Sequence, residues 1–173
     1  LEYIPDPGFV GNDEFLFRSE TTGETTMSVR VWPYGIAAGP HHSCALDSTG
    51  VHCWGRDAEG QASPPKLDNP TAVVAGKTHS CAIDEGKVVC WGKLPANVEP
   101  PNLVNPRELA ASANHTCAID DFGVKCWGDN NAGHFSHIPR LVNPRAISAG
   151  ATLTCAIEDA GVRCWGLSES TAQ

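Results

Sequence analysis

The chain has 173 residues and a net charge of −8, with 12 Lys and Arg against 20 Asp and Glu. No cluster of Lys or Arg offsets this acidity, so the sequence predicts no nucleic-acid partner and no membrane partner, because a basic patch supplies most of the non-specific affinity for nucleic acid and anionic lipid. No apolar run approaches the roughly 18 residues of a membrane span. Gly (17) and Pro (13) are abundant, which suits many short strands joined by tight turns.

Residues 1–34 stand apart from the rest of the chain and predict a β-hairpin. Apolar and polar residues alternate over 14–17 and 26–32, and residues 22–24 between them are typical of a turn. Two strands alone are not stable in water, so we expect this hairpin to add to another sheet, as a donated strand pair. The alternation places two apolar residues on one face of the first strand and three on one face of the second. These five residues are the candidates for self-association: Phe15, Phe17, Met27, Val29 and Val31.

The start of the chain resembles the closing portion of the tandem Ig-like and cadherin-like modules of bacterial surface proteins. The resemblance covers about 30 residues and is carried by Tyr3, Pro5, Pro7-Gly8-Phe9, Gly11, Asp13 and Phe15. It implies that the chain begins inside a sandwich domain whose earlier strands are missing or lie on another molecule. The sequence begins with Leu and contains no signal peptide, so we expect an upstream part to have been removed or left out.

A twenty-residue pattern occurs four times, and its copies start 37, 36 and 38 residues apart. Each copy has an apolar start, then His (Leu153 in the fourth copy) followed by Ser/Thr-Cys-Ala-Ile/Leu-Asp/Glu, a short turn and Val-x-Cys-Trp-Gly. Self-similarity at this period predicts a repeat architecture in which each unit buries its apolar faces only against its neighbours. The copies are Ile36 to Gly55, Val73 to Gly92, Leu109 to Gly128 and Ile147 to Gly166.

All eight cysteines lie in these copies as Cys-x8-Cys, and repetition favours the one pairing that is the same in every unit. Folding a copy as a hairpin about its turn, for example 84–87, brings its two cysteines directly opposite each other, within reach of a disulfide. Closing such a ten-residue loop is worth roughly 2–3 kcal/mol. The predicted pairs are Cys44 with Cys53, Cys81 with Cys90, Cys117 with Cys126, and Cys155 with Cys164.

Two other uses of the cysteines remain open at this point, namely metal ligation and reduced thiols in a core. Zinc sites bring cysteines together as Cys-x2–4-Cys knuckles, which the sequence lacks, and reduced thiols would suit a cytosolic protein. Disulfides predict an oxidising compartment, so we expect an extracellular or cell-surface protein. The turn register is also open, because Gly50, Gly123 and Gly161 stand fourth in their turns while Gly86 stands third, and a bulge would shift the pairing by one residue.

Linkers rich in Pro, Asn and Gly separate the copies at 56–71, 93–107 and 129–145. Each contains Pro-x-Leu-x-Asn-Pro, and proline lacks the N–H that a ladder needs. The short apolar segments that follow these linkers predict the strands that open the next unit: 72–74, 109–111 and 146–147.

The His-Ser/Thr-Cys-Ala-Ile/Leu-Asp/Glu…Cys-Trp-Gly copies strongly resemble the regulator-of-chromosome-condensation-type repeat, a β-propeller blade, in its bacterial Cys-Trp-Gly variety. The resemblance covers 34–166, with Leu153 in place of the fourth His, and Gly60-Gln61 also matches the family. Family members commonly close into seven-bladed rings of four-stranded blades. The expected fold is therefore all-β, with a hairpin over 1–34 and a partial, four-unit propeller-like arc over 35–173, its units starting near 36, 73, 109 and 147.

The regularly placed histidines His42, His79 and His115 could form a metal-binding row, or could each make a structural hydrogen bond at a repeated blade position. Leu153 at the fourth position favours the structural interpretation. The loop at 129–137, with His134 and His137, only faintly resembles a calcium or zinc loop and is better explained as a polar turn. The sequence thus predicts no metal site.

One Trp follows the second Cys of each copy and points away from the disulfide. An aromatic ligand platform is possible, but packing between adjacent blades is the expected role of these residues: Trp54, Trp91, Trp127 and Trp165. Asn114 lies in a formal glycosylation sequon, Asn-His-Thr, which matters only if the source glycosylates such sites.

No catalytic constellation, phosphate loop or cofactor motif is present, and the acids Asp47, Asp84, Asp120 and Glu158 are explained as turn residues. Nothing matches the functional loops of the nucleotide-exchange factors in this family, so an enzyme is not expected. An arc of four blades is expected to expose a broad blade face at one end and an unpaired strand edge at the other. We therefore expect a secreted structural protein that self-assembles, as a filament or closed oligomer, through its blade faces and N-terminal strands. The alternative is an extracellular module that binds another protein, as a bacterial β-lactamase inhibitor of this family does.

Overall fold

The computed structural model of the chain describes residues 11–19, 23–31, 35–130, 133 and 135–166, and before residue 35 it describes the backbone alone. The chain divides into two compact units, Leu1–Pro33 and Tyr34–Gln173. Its described regular elements are fourteen strands and a single 3-10 helix at Pro95–Asn97.

The strands are short and evenly spaced, as an all-β repeat fold requires. In chain order they are β1 (Gly11–Ser19), β2 (Gly23–Val31), β3 (Gly35–Ala38), β4 (His42–Asp47), β5 (Gly50–Gly55), β6 (Pro70–Ala75), β7 (His79–Asp84), β8 (Lys87–Gly92), β9 (Glu108–Ala111), β10 (His115–Asp120), β11 (Gly123–Gly128), β12 (Ala146–Ala149), β13 (Leu153–Glu158) and β14 (Gly161–Gly166).

In the first unit, β1 and β2 form a two-stranded antiparallel sheet with Phe15 opposite Met27. Both strands are longer than the alternating pattern predicts. The reversal also falls earlier, because β2 already begins at Gly23, which pairs with Ser19. The side chains of this hairpin lie outside the described part of the chain, so self-association through Phe15, Phe17, Met27, Val29 and Val31 stays a prediction.

The second unit consists of four three-stranded antiparallel sheets, which confirms the all-β, four-unit arc. We call them blades 1 to 4: β3–β5, β6–β8, β9–β11 and β12–β14. The first strands of the four blades lie next to one another and line a common central groove. Each described blade has three strands, whereas the resemblance to the propeller repeat implied four. The linkers between the blades contain prolines, which lack the N–H that a strand ladder needs.

All four hairpins share one register, with a two-residue turn and the two cysteines directly opposite each other. The three copies whose turn has glycine at its fourth position therefore contain no bulge in the hairpin. The glycines at those positions adopt positive φ instead, for example 118° at Gly50, which few other residues tolerate. Each cysteine pair forms a disulfide, with S–S distances of 2.04 to 2.11 Å.

The acidic residue that ends the middle strand of a blade does more than open a turn. The interpretation of these acids as turn residues alone was therefore incomplete. In blades 2 to 4 the carboxylate of this residue also accepts a backbone N–H of the preceding linker, so that linker and hairpin are held together. The carboxylates and the linker residues that donate are Asp84 and Asn69 (2.7 Å), Asp120 and Val104 (3.1 Å), and Glu158 and Val142 (2.9 Å).

Candidate protein-binding faces of the terminal blades

Each blade has two chemically different faces. Side chains alternate along a strand, and directly paired residues share a side. In blade 1, therefore, the Cys44–Cys53 disulfide lies beside Leu46 on one face, and Trp54 lies beside Ala45 on the other. We call the first the disulfide face and the second the tryptophan face, and we use the same names for the equivalent residues of every blade.

Blades 1 and 2 meet through two different faces. The disulfide face of blade 1 contributes Cys44 and Leu46 to a buried cluster, and the tryptophan face of blade 2 contributes Val73, Ala82 and Trp91. Burial of an aromatic ring and several aliphatic groups against a disulfide removes apolar surface from water, which is the main source of stability between neighbouring repeats.

The other two interfaces repeat this arrangement. Between blades 2 and 3, the cluster consists of Cys81, Ile83, Leu109, Ala118 and Trp127. At the interface of blades 3 and 4, the buried residues at the equivalent positions are Cys117, Ile119, Ala156 and Trp165. Every interface within the chain thus joins a disulfide face to the tryptophan face of the next blade.

The tryptophan face of blade 1 is covered by no other described blade. Trp54 is 51% exposed, whereas Trp127 at the equivalent position of blade 3 is 3% exposed. Ile36 of β3 lies beside Ala45 on the same face and is 79% exposed, although its equivalent Val73 belongs to the buried cluster of blades 1 and 2. Of the four tryptophans, Trp54 is therefore the one that does not pack between blades.

The disulfide face of blade 4 is exposed in the same way. Ile157 and Val162 are 47% and 70% exposed, and the Cys155–Cys164 disulfide lies between them and Leu153. Ile119 at the position of Ile157 is fully buried between blades 3 and 4. The chain thus presents one apolar face of each kind, at opposite ends of the row of blades.

A histidine crosses each internal interface and bonds to a hydroxyl of the next blade. The hydroxyl belongs to the residue before the first Cys of that blade, and in each case the imidazole atom is Nε2. The distances to the hydroxyl oxygen are 2.7 Å from His42 to Ser80, 2.7 Å from His79 to Thr116 and 3.0 Å from His115 to Thr154. The repeated histidines therefore join blades, and Leu153 ends the series at the exposed face of blade 4.

The donor of the first of these bonds follows from its surroundings. The Ser80 hydroxyl donates its single proton to the backbone oxygen of Gln61 (2.9 Å), so it accepts from His42 Nε2–H. Burial lowers the pKa of His42, which keeps this imidazole neutral. The same Gln61 oxygen accepts the indole N–H of Trp91 at 3.0 Å.

Gln61 is fully buried, and its backbone oxygen connects the linker to two strands of blade 2. The sequence marks Gly60-Gln61 only as a family match, and nothing local to it indicates this role. Its contacts with Ser80 and Trp91 span 19 and 30 residues, so they form only once the linker packs against blade 2.

His79 has the most strongly perturbed environment of the three. It is fully buried, and burial together with the neighbouring His42 and His115 lowers its pKa to about 4. A Cβ at Gly76 would overlap its ring, so glycine at this position makes room for the imidazole. At neutral pH this side chain is an uncharged hydrogen-bonding group and not a proton carrier.

Within the described residues, no three His, Cys, Asp or Glu side chains come together as a metal site. His134 and Asn131 of the loop at 129–137 lie outside the described part. Asn114 is exposed, so its sequon is accessible. The described chain contains no helix with the length and apolarity of a membrane span.

The comparisons with known proteins agree with this architecture. Residues 35–61 match the family model of the regulator of chromosome condensation (RCC1) repeat. The CRINKLY WD40 ectodomain of the Arabidopsis thaliana receptor kinase ACR4 is 28% identical, with a TM-score of 0.62 over 82% of this chain and 53% of that one. The ectodomain of the Physcomitrella patens receptor kinase CR4 is 25% identical, with a TM-score of 0.66 over 82% of this chain and 41% of that one.

Prp20p from Saccharomyces cerevisiae, at 19% identity and a TM-score of 0.63 over 77% of this chain and 44% of that one, shares the fold. No curated protein sequence matches the chain. The chain thus spans about half the length of the solved structures it resembles. The Ig-like module expected before the repeats is not shown by these matches. Residues 35–61 thus match one RCC1 repeat, and the other three copies of the pattern have the same strand pairing and turn register, as a row of propeller-like blades.

Proposed function

We propose that the chain is an extracellular, non-enzymatic structural module that associates with other polypeptides through its two terminal blade faces. The observation that carries this proposal is the exposure of Trp54 and Val162 at positions whose equivalents face a neighbouring blade elsewhere in the chain. Apolar faces of this kind, rimmed by polar residues, are typical of protein interaction sites.

The similar solved structures support a protein-binding role. Two of them are receptor kinase ectodomains. The structure of Prp20p was described with its binding to Gsp1p and histones, and yeast RCC1 was solved bound to Kap60. Since fold alone does not determine function, these relatives indicate the type of role and not the partner.

The disulfides support an extracellular or cell-surface location. All eight cysteines are paired, each within one hairpin. Such bonds persist in oxidising compartments and are rare in the cytosol. An acidic protein without a Lys/Arg cluster also has no evident means of attracting nucleic acid.

The N-terminal hairpin is a second proposed route of association. Its described sheet contains only β1 and β2, and an isolated pair of strands is marginally stable in water. Its outer edges offer backbone groups to which a further strand can add.

Site-specific photo-crosslinking tests the terminal faces as binding surfaces. In the full chain produced and exported by its own source, p-benzoylphenylalanine replaces Trp54 or Val162, one at a time. Phe122 is the matched control because it is 78% exposed but lies at a hairpin turn away from both faces. Irradiation should give adducts with a polypeptide at 54 and at 162, and far fewer at 122.

The proposal fails if neither face gives more polypeptide adduct than the control position. Alkylation of the unreduced protein separately tests the proposed extracellular location, through the state of its cysteines. No cysteine should react before reduction, and all eight should react after it. Free thiols in material taken directly from the source would contradict the assignment to an oxidising compartment.

A further inference from the structure

We infer that the partner of each terminal face is the other terminal face in a second copy of this chain, so that two copies close into a ring of eight blades. The inference rests on the proposed function, because it names the occupant of the same two faces. The three internal interfaces serve as its template.

Every internal interface has the same polarity. A disulfide face packs on a tryptophan face, and no blade presents two faces of one kind. Blade 4 leaves a disulfide face uncovered, and blade 1 leaves a tryptophan face uncovered. The two free faces are therefore the complementary halves of an interface that the chain already makes three times.

The template specifies the contacts of the joint between copies. Trp54 would pack on the Cys155–Cys164 disulfide, as Trp91 joins the cluster beside Cys44. Ile36 would take the place of Val73, facing Ile157 of the other copy. Each of these side chains is aliphatic, aromatic or sulfur-containing, so the joint would remove a continuous apolar surface from water.

Charged groups do not oppose this contact. The exposed disulfide face of blade 4 has no charged residue at its paired strand positions, which are 153, 155, 157, 162, 164 and 166. Arg163 and Glu158 bond to each other on the opposite, tryptophan face. On the tryptophan face of blade 1, His52 lies 3.6 Å from Asp47. The equivalent pair of blade 3, Lys125 and Asp120, is already accommodated at an internal interface.

The polarity of the joint permits either a closed ring or an open filament, and only a closed ring leaves no face uncovered. Two copies related by a two-fold axis use both joints at once, which favours closure. Eight blades lie within the usual range for propellers.

The joint differs from its template at one position. Internal interfaces have a histidine that bonds to the next blade, whereas blade 4 presents Leu153, which would face Ser43 of the second copy. The joint between copies therefore lacks the hydrogen bond that each internal interface has. This makes it the weakest interface of the ring and the one that opens on dilution.

Sedimentation velocity on the full, oxidised chain tests the inference with two variants. Trp54→Glu damages the tryptophan face and Val162→Glu damages the disulfide face. Wild type should form a dimer of twice the 18.3 kDa chain mass. Each variant alone places a charge in both joints and should weaken dimerisation roughly 100-fold or more. Phe122→Glu, at an exposed turn, should dimerise like wild type.

Mixing distinguishes a joint between unlike faces from one between like faces. A Trp54→Glu chain keeps its disulfide face and a Val162→Glu chain keeps its tryptophan face, so a mixture regains one intact joint and should recover part of the dimer. Near-ultraviolet circular dichroism and the absence of free thiols verify that each variant is folded.

A wild-type chain that stays monomeric, that grows into filaments, or whose dimer survives Val162→Glu would overturn the inference. The photo-crosslinking experiment separates this failure from failure of the proposed function. Adducts at 54 and 162 that contain only foreign polypeptides would contradict self-association and still support binding through the terminal faces.

Discussion

The interfaces between blades and the two terminal faces are built from the same residue types but differ in what covers them. Trp127 and Ile119 are buried between blades, while Trp54 and Ile157 at the equivalent positions are half exposed. In a repeat protein each unit carries the residues of an internal interface whether or not a neighbour is present. The terminal faces therefore preserve the chemistry of an interface without its partner.

The largest expected difference between the two regions concerns the tryptophans. Trp127→Ala should lower the free energy of unfolding by roughly 3–5 kcal/mol, because it removes a large buried side chain and leaves a cavity. Trp54→Ala in dilute, monomeric protein should cost less than about 1 kcal/mol, since half of the ring is already in water. Urea unfolding of both variants measures the difference. Equal losses of unfolding free energy would contradict the burial of Trp127 and the exposure of Trp54.

Acid should weaken the interior interfaces. The pKa of His79 is lowered to about 4 in the folded protein from 6.5 in the unfolded chain, so the unfolded state binds the proton first as pH falls. The contribution is complete above pH 6.5 and is lost between pH 6.5 and 4, up to about 3 kcal/mol. His79→Gln should flatten the dependence of unfolding free energy on pH over this range.

The exposed His137→Gln variant is the control for that experiment, because it removes an imidazole outside the row that joins the blades. It should keep the pH dependence of wild type. If His79→Gln also kept the wild-type pH dependence, burial of His79 would not be the cause of the loss of stability in acid.

Removal of one disulfide should cost roughly 2–3 kcal/mol from lost loop closure alone, an amount common to all four because they close loops of the same length. The Cys117→Ala/Cys126→Ala variant should lose more than the Cys155→Ala/Cys164→Ala variant in the monomer, because the first also loses packing at an internal interface. Thermal unfolding of the two variants gives the comparison, and a larger loss at blade 4 would contradict the packing described here.

The smallest effect concerns the missing hydrogen bond. Leu153→His restores at blade 4 the imidazole that the other blades use, opposite Ser43 of a second copy, and should tighten dimerisation about 2- to 10-fold. Adding Ser43→Ala to the same chain removes the acceptor and should cancel the gain. Sedimentation at several concentrations measures both, and a gain that survives Ser43→Ala would have another cause.

Much of the local structure could be predicted because its signals are local. The spacing of the cysteines and the alternation around each turn predict hairpins in which Cys81 faces Cys90, and the structure has this register. The all-β four-unit arc and the resemblance to the repeat are also confirmed, because both rest on a pattern that lies within each copy. The sequence does not predict that the four turns share one register, because glycine at the third or fourth turn position permits two pairings of the strands.

The order in which faces meet could not be predicted, because both faces of a hairpin are apolar and neither shows which neighbour it contacts. Trp54 illustrates this: its local sequence is that of Trp91, and only its place at the end of the row leaves it exposed. The bonds from His42 to Ser80 and from Asp120 to Val104 are equally invisible in sequence, since they join segments 38 and 16 residues apart.

Oxidative footprinting of the four blade tryptophans over a range of protein concentrations tests the pairing of unlike faces most directly. The structure predicts that Trp91, Trp127 and Trp165 are protected at every concentration, and that Trp54 is modified in dilute protein but protected once the chain dimerises. Modification of Trp54 at one constant rate, or rapid modification of the other three, would contradict the account.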